Sequence, residues 1–322
     1  VTTLLYHHSV CAEHDMGYGH PECPDRLEVI QQALKKSAFA DLYWKEAPAV
    51  TMDQLTRAHP QRYVERVLKS VPDYGFYPLD GDTALSSSSG DAAMRAAGAV
   101  CAGVDAIMAG EASNAFCAVR PPGHHAEPSR AMGFCVFNNV VVGAFHAQVA
   151  HALERVAVID FDVHHGNGTQ TAFWSRPECL YISSHQSPLY PGTGRAEERG
   201  VGNIINFPLL PNSGSKEIRH GWNTIMGPAL ENFKPDFIFI SAGFDAHYLD
   251  PLAQLNLTEE DYAWLTTEIL DIANGCCAGR VVSTLEGGYH LSALATSAAA
   301  HVKALMNGSS ASLQSSEQTA LG

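Results

Sequence analysis

The sequence predicts an α/β fold: one domain with a central, mostly parallel sheet of about eight strands and helices on both faces. Three observations predict it. Short β-branched or apolar runs alternate with longer helix-like segments along most of the chain. One run, Phe237-Ile238-Phe239-Ile240, is apolar at every position, as a strand covered on both faces must be. No stretch rich in Pro, Gly or Ser divides the 322 residues, and no internal repeat is visible.

In chain order, strands are expected at 3–6, 115–119, 156–160, 180–183, 203–207, 237–241 and 281–285, each ending in small or polar residues. Helices are expected at 24–36, 90–109, 138–153, 215–233, 258–273 and 291–306. Pro24-Asp25 opens the first, Ser215 before Glu217 the fourth, and Thr258 before Glu259-Glu260-Asp261 the fifth, where a capping hydroxyl meets an acidic first turn. Ser86-Ser87-Ser88-Ser89-Gly90 reads as a short polar loop. The folded domain is expected over 1–306. Residues 307–322, polar and of low complexity, are expected to form a disordered tail.

Composition narrows the function classes. With 46% apolar residues the chain can bury a large core, and with 20 Lys plus Arg against 34 Asp plus Glu its formal charge is −14. Such a chain is not built to hold nucleic acid, but tolerates basic partners. Eight cysteines without a Cys-x-x-Cys pair read as buried thiols in a reducing, cytoplasmic setting. The first residues, Val1-Thr2-Thr3-Leu4-Leu5-Tyr6-His7, lack the basic and apolar regions of a signal peptide, and no run of about 18 apolar residues predicts a membrane span. Among sixteen histidines are three adjacent pairs, His7-His8, His124-His125 and His164-His165.

In a parallel sheet, ligands bind beyond the carboxyl ends of the strands, so the loops there carry the chemistry. After 115–119 comes Arg120-Pro121-Pro122-Gly123-His124-His125, a stiff turn presenting two imidazoles. After 156–159 comes Asp160-Phe161-Asp162-Val163-His164-His165-Gly166-Asn167. In extended chain, alternate side chains share a face, so Asp160, Asp162 and His164 point one way while Phe161 and Val163 pack the other. Carboxylates with an imidazole suit Zn²⁺, Fe²⁺ or Co²⁺. A phosphotransferase Asp-x-Asp is the competing reading, but does not call for the histidines. The third loop, Ser241-Ala242-Gly243-Phe244-Asp245, offers a further carboxylate, although such an Asp alone is more often a helix cap. The fourth, Glu286-Gly287-Gly288-Tyr289, places a Tyr after two glycines, where a lone Tyr is usually packing.

These four stretches, in this order, resemble the histone deacetylase and acetylpolyamine amidohydrolase superfamily, in particular class II enzymes and their bacterial homologues. Also similar are His20-Pro21-Glu22-Cys23-Pro24-Asp25-Arg26, Tyr77-Pro78-Leu79-Asp80-Gly81-Asp82-Thr83, Gly133-Phe134-Cys135-Val136-Phe137-Asn138-Asn139 and Pro191-Gly192-Thr193-Gly194. The resemblance runs from about Tyr6 to Met306 and implies the arginase/deacetylase-type fold. It implies that Asp162, His164 and Asp245 hold one catalytic zinc, that His124 and His125 are the general base and acid, and that Asp160 orients His124. It implies that Tyr289 donates to the developing oxyanion and that Asn167 faces His125, where class I enzymes have an Asp. A structural K⁺ is implied beside Asp160, Asp162, His164, Ser183 and Ser184. Gly133, Phe134 and Tyr190 are implied to line a narrow channel.

The implied reaction is hydrolysis of an acetamide to acetate and free amine. The substrate is an acetylated lysine peptide or protein, or a small acylated amine. Polyamine specialists of the class II group carry a Glu just after an Asp-Pro at the rim. This chain has Asp250-Pro251-Leu252, so Leu252 favours acyl-lysine. Asp80, Asp82 and Glu22 are the candidates for negative charge at the mouth. Two other readings are disfavoured: a non-catalytic acyl-lysine binding module, because ligands, histidine pair and Tyr289 are all present, and an arginase-like two-metal hydrolase, because the loops supply ligands for one ion.

Overall fold

A computed structural model describes residues 1–308 of the chain. Its strands are β1 (Thr3–His7), β2 (Tyr43–Glu46), β3 (Tyr77–Pro78), β4 (Ala84–Leu85), β5 (Asn114–Cys117), β6 (Val156–Asp160), β7 (Cys179–Gln186), β8 (Ile204–Leu209), β9 (Phe237–Ala242) and β10 (Val281–Leu285). The α-helices are α1 (Asp25–Leu34), α2 (Met52–Thr56), α3 (Gln61–Lys69), α4 (Ser89–Met108), α5 (Asn139–His151), α6 (Asn167–Phe173), α7 (Ser215–Gly221), α8 (Gly227–Phe233), α9 (Glu259–Cys277) and α10 (Leu291–Asn307). Eight strands form one sheet in the order β2-β1-β5-β10-β9-β6-β7-β8. Every pairing within it is parallel, which sharpens the expected mostly parallel sheet. β3 and β4 make a separate antiparallel ribbon.

Alternation along the strands explains the two covered faces. On β5, Ala115 lies near Gly103 of α4, whereas the Phe116 ring meets His301 of α10. Thus α4 and α5 cover one face, and α9 and α10 the other. β5, β6, β9 and β10 are buried at every position, as central strands covered on both faces must be. No helix among the described residues is long and apolar enough to cross a membrane. The tail expected at 307–322 lies, beyond residue 308, outside the described residues.

Of the expected helix starts, Pro24-Asp25 and Thr258 open α1 and α9 as expected, and Ser215 does not cap its helix. Asn138 accepts a hydrogen bond from the Val141 amide at 3.1 Å and opens α5. Asp261 accepts from the Thr258 amide at 3.0 Å and opens α9. Glu217 accepts from the Gly214 amide at 2.9 Å, so Gly214 rather than Ser215 caps α7. The single helix expected at 215–233 is instead α7, a π-helical stretch over Trp222–Met226, and α8. Pro228 at the start of α8 has no amide hydrogen to donate backwards, which explains why regular α-helical bonding changes there.

Glu22 belongs to the core. Its carboxylate accepts from Arg26 Nη1 at 2.9 Å, from Arg120 Nη2 at 2.7 Å and from Arg120 Nε, and all three side chains are fully buried. This corrects the expectation that Glu22 lends charge to the site's mouth: two guanidinium groups already enclose it. Burial alone would raise its pKa, but Arg120 and then Arg26 outweigh that and bring it down to about 2. A depressed carboxylate pKa contributes stability that is complete above the unfolded value near 4.5 and is lost as pH falls towards 2. That contribution is worth about 3 kcal/mol. Glu22→Gln is therefore expected to lower stability at pH 7 by about that amount and to flatten the acid limb of the stability curve. Urea melts across the acid range check both; an unchanged acid limb would contradict the assignment.

Candidate active site

The four chemistry-bearing loops leave β5, β10, β9 and β6, which are consecutive neighbours in the middle of the sheet. Segments up to about 170 residues apart in sequence thereby meet at one carboxyl edge. On the loop after β6 the side chains alternate. Phe161 turns into an aromatic cluster with Phe244 and Tyr262, at ring centroids of 6.0 and 5.7 Å. Asp160, Asp162 and His164 take the other side and reach the site.

Asp162, His164 and Asp245 present ligand atoms that all lie within 4.8 Å of one another, and all three residues are buried. His164 Nδ1 is 3.1 Å from both Asp162 Oδ1 and Asp245 Oδ2. No Lys or Arg among the described residues bridges these carboxylates; the charged partners are imidazoles. Burial opposes a charged His164, yet the bonds to Asp162 and Asp245 push its pKa up to about 10. Burial, and then the charge of Asp162, push Asp245 up to about 7. Two buried carboxylates converging on one imidazole form a set that a cation satisfies. Gly243 and Gly287 leave room for it: a Cβ on Gly243 would strike the Asp162 carboxylate, and one on Gly287 the Asp245 carboxylate. The Gly287 amide donates to Asp162 Oδ2 at 2.8 Å and the Val163 amide to Asp245 Oδ1 at 2.8 Å, which fixes both carboxylates. Two oxygen ligands and one nitrogen, with space for a further ligand, fit Zn²⁺.

The two histidines differ in surroundings. His124 Nδ1 meets Asp160 Oδ2 at 3.0 Å, and Asp160 also accepts from the Tyr181 hydroxyl at 2.9 Å. Burial disfavours charge on His124, but Asp160, Asp162 and Glu286 outweigh it and hold its pKa well above the usual imidazole range. His125 Nδ1 meets Asn167 Oδ1 at 2.9 Å, while Asn167 Nδ2 donates to Glu127 Oε1 at 2.9 Å. The Glu127 bond sets which way the Asn167 amide faces. His125 must then carry its hydrogen on Nδ1, leaving Nε2 as the basic nitrogen. Burial, then the charges of His124 and His164, hold the His125 pKa well below the usual range.

Above the ligands is a pocket of about 210 Å³ lined by Asp82, His125, Gly133, Phe134, His164, Leu189, Tyr190, Leu252 and Tyr289. Gly133 and Phe134 both have positive φ, 57° and 68°. The Gly133 amide is tied to Asp82 Oδ1 and the Phe134 amide to the Thr83 hydroxyl, each at 3.0 Å. Tyr190 stands edge-on to His125, and Phe134 edge-on to Tyr289, at 5.2 and 5.9 Å. Gly288, at φ 120°, turns the chain into Tyr289, whose amide donates to Asp250 Oδ2 at 2.7 Å. A larger groove of about 700 Å³ lies at the opposite end of the sheet, lined by Arg155, Trp222, Glu231 and Lys234 among others. It contains no convergent ligand set among the described residues.

Asp160 and Ser183 are register partners on β6 and β7, Ser184 follows, and all five residues implied for K⁺ are buried. Oxygen donors there suit a hard monovalent cation. Of the acids expected at the mouth, Asp82 lines the pocket, Asp80 is 3.7 Å from Arg130, and Glu22 is buried elsewhere. Two contributors escaped sequence reading. Leu189 lines the channel one residue before Tyr190. Glu286 is fully buried and accepts from the Gly123 amide at 2.7 Å, the His124 amide at 3.1 Å and the Ser241 hydroxyl at 2.9 Å. It clamps the histidine loop to β9 and β10; its place beside Gly287-Gly288 was the only signal.

Comparison with known proteins agrees with this geometry. Residues 20–305 match the family described as the histone deacetylase domain. The chain is 38% identical to histone deacetylase 14, chloroplastic, of Arabidopsis thaliana, over 94% of this chain and 76% of that protein. It is 41% identical to the histone deacetylase-like amidohydrolase of Pseudomonas aeruginosa, over 84% of this chain and 73% of that one. Among solved structures, the HDA15 HD domain is similar at a TM-score of 0.90 and 35% identity, covering 97% of this chain and 91% of that one.

Proposed function

The chain belongs to the histone deacetylase family, and on that premise we propose that it is a zinc-dependent amidohydrolase releasing acetate from acetyl-lysine or a related acylated amine. The observation that carries this reading is the Asp162–His164–Asp245 cluster, with His164 in the wall of a pocket that His125 and Tyr289 also line. Zinc held by those three residues supplies a Lewis acid that polarises the acyl carbonyl and makes water nucleophilic near neutral pH.

The chain's own groups do the rest. His125, with its hydrogen fixed on Nδ1 by Asn167, uses Nε2 to take a proton from the attacking water. The same nitrogen then gives that proton to the departing amine. His124, held by Asp160, places positive charge beside the reacting carbonyl. Tyr289 donates its hydroxyl to the oxygen that becomes negative. Phe134, Leu189, Tyr190 and Leu252 enclose the aliphatic chain leading to the amide. Asp160, Asp162, His164, Ser183 and Ser184 would hold a structural K⁺ beneath the site.

Tyr289→Phe is expected to keep zinc and lower kcat by roughly 100-fold, the usual scale for one oxyanion donor. An unchanged kcat would remove Tyr289 from that role.

Leu252 supports acyl-lysine as the substrate class, because an apolar rim residue offers nothing to a second ammonium group. The test is hydrolysis of an acetyl-lysine peptide beside N-acetylputrescine and N8-acetylspermidine. Preference for the peptide is expected, and Leu252→Glu is expected to move the ratio of kcat/KM values towards the polyamines. Preference of the wild type for polyamines would overturn the lysine reading. An unmoved ratio would remove Leu252 as its determinant.

A further inference from the structure

A second convergent set of ligand groups lies away from the pocket, between α4 and α5. Asp105 is in the last turn of α4, and His146 and His151 are on α5. Both imidazole Nε2 atoms are 2.7 Å from the same oxygen, Asp105 Oδ1. The rings are 5.8 Å apart and nearly perpendicular, at 83°, and one ligand atom from each residue falls within 4.8 Å of the others. His146 is buried, whereas the Asp105 side chain is 53% exposed, so the set is anchored on one side and open to water on the other. α5 begins beside the histidine loop, where Asn139 Nδ2 donates to the Pro121 carbonyl at 3.1 Å, and His151 is at its other end.

We propose that Asp105, His146 and His151 form a second site for a divalent transition metal, which ties α4 to α5 and is separate from the catalytic pocket. Two imidazoles and one carboxylate suit Zn²⁺, Co²⁺, Ni²⁺ or Cu²⁺ rather than Mg²⁺ or Ca²⁺, which prefer oxygen. Water completes a tetrahedron on the exposed side.

Tautomers specify what binding must change. Without metal, both Nε2 atoms donate to Asp105. His146 Nδ1 then accepts, 3.1 Å from Arg57 Nη1 and 3.3 Å from Gln54 Nε2. A metal on His146 Nε2 places the ring hydrogen on Nδ1 instead, facing Arg57. Gln54 can present oxygen to that hydrogen only by turning its amide, which gives up the bond that its Oε1 accepts from the Thr51 amide at 2.9 Å. Arg57 retains Asp53, 2.5 Å from its Nη2. The metal therefore exchanges the Gln54 donor facing His146 Nδ1 for an acceptor, at the cost of the α2 cap bond, and leaves the Arg57–Asp53 ion pair in place.

The test is zinc content of the full chain after dialysis in a zinc buffer, comparing wild type with His151→Ala and Asp105→Asn, each checked for peptide deacetylation to show that it is folded. One equivalent of zinc fewer is expected in His151→Ala, and zinc affinity at this site at least about tenfold weaker in Asp105→Asn, with deacetylation retained in both. Because the readout is a difference from wild type at equal free zinc, it does not depend on whether the pocket holds zinc. Wild-type zinc content in His151→Ala, with Asp105→Asn also unchanged, overturns the site.

Discussion

Asp162→Ala and Asp245→Ala are each expected to lose the pocket's zinc and all measurable deacetylation. Each removes one of three protein ligands, and the two that remain cannot hold a catalytic ion in an open site. The carboxylates also accept backbone hydrogen bonds, from Gly287 and His164 on Asp162 and from Val163 on Asp245. Alanine therefore leaves buried amides unpaired, at about 1–3 kcal/mol each. Asp245→Asn keeps an oxygen for Val163 and separates the two effects. It is expected to fold as wild type does and still to bind zinc poorly, because a neutral amide is a weaker ligand. Elemental analysis beside the peptide assay reads both. Wild-type zinc content and turnover in the Ala variants would refute the ligand assignment.

His125→Ala is expected to lower kcat by roughly 10²–10⁴-fold, the range for a positioned general acid–base group, with zinc retained. The reasoning rests on geometry. The Glu127–Asn167–His125 chain fixes the hydrogen on Nδ1, so only Nε2 can serve as base, and His125 lines the pocket while burial keeps it neutral. His124 is instead engaged at Nδ1 by Asp160, whose charge outweighs burial and raises its pKa above the usual imidazole range. Asn167→Ala provides a graded control, since it releases the tautomer and leaves the imidazole in place. A smaller loss than in His125→Ala, still with full zinc, is expected. A His125→Ala variant turning over at the wild-type rate would assign the base elsewhere.

Much of this was legible in the sequence because the physics is local. Phe237-Ile238-Phe239-Ile240, apolar at every position, is what a doubly covered strand needs. Asp160, Asp162 and His164 share a face because extended chain alternates. The edge strand β2 was not legible: Tyr43-Trp44-Lys45-Glu46 is largely exposed and carries no apolar run. The short helices α2 and α3 were missed because only a few of their residues, such as Leu55, Tyr63 and Val67, face the core. Strand order was beyond local reading, since β10 inserts between β5 and β9. That insertion is what brings Tyr289 beside the histidine pair. Glu22 misled for the same reason. Its surroundings in sequence suggest a polar turn, and the guanidinium that encloses it most closely, Arg120, lies 98 residues away.

The most direct test of the central claim is hydrolysis of an acetyl-lysine peptide by the chelator-treated protein before and after zinc is returned, with released acetate measured. The account expects negligible hydrolysis without metal and full recovery as zinc refills the Asp162–His164–Asp245 site. Undiminished hydrolysis by protein shown to be metal-free would contradict it.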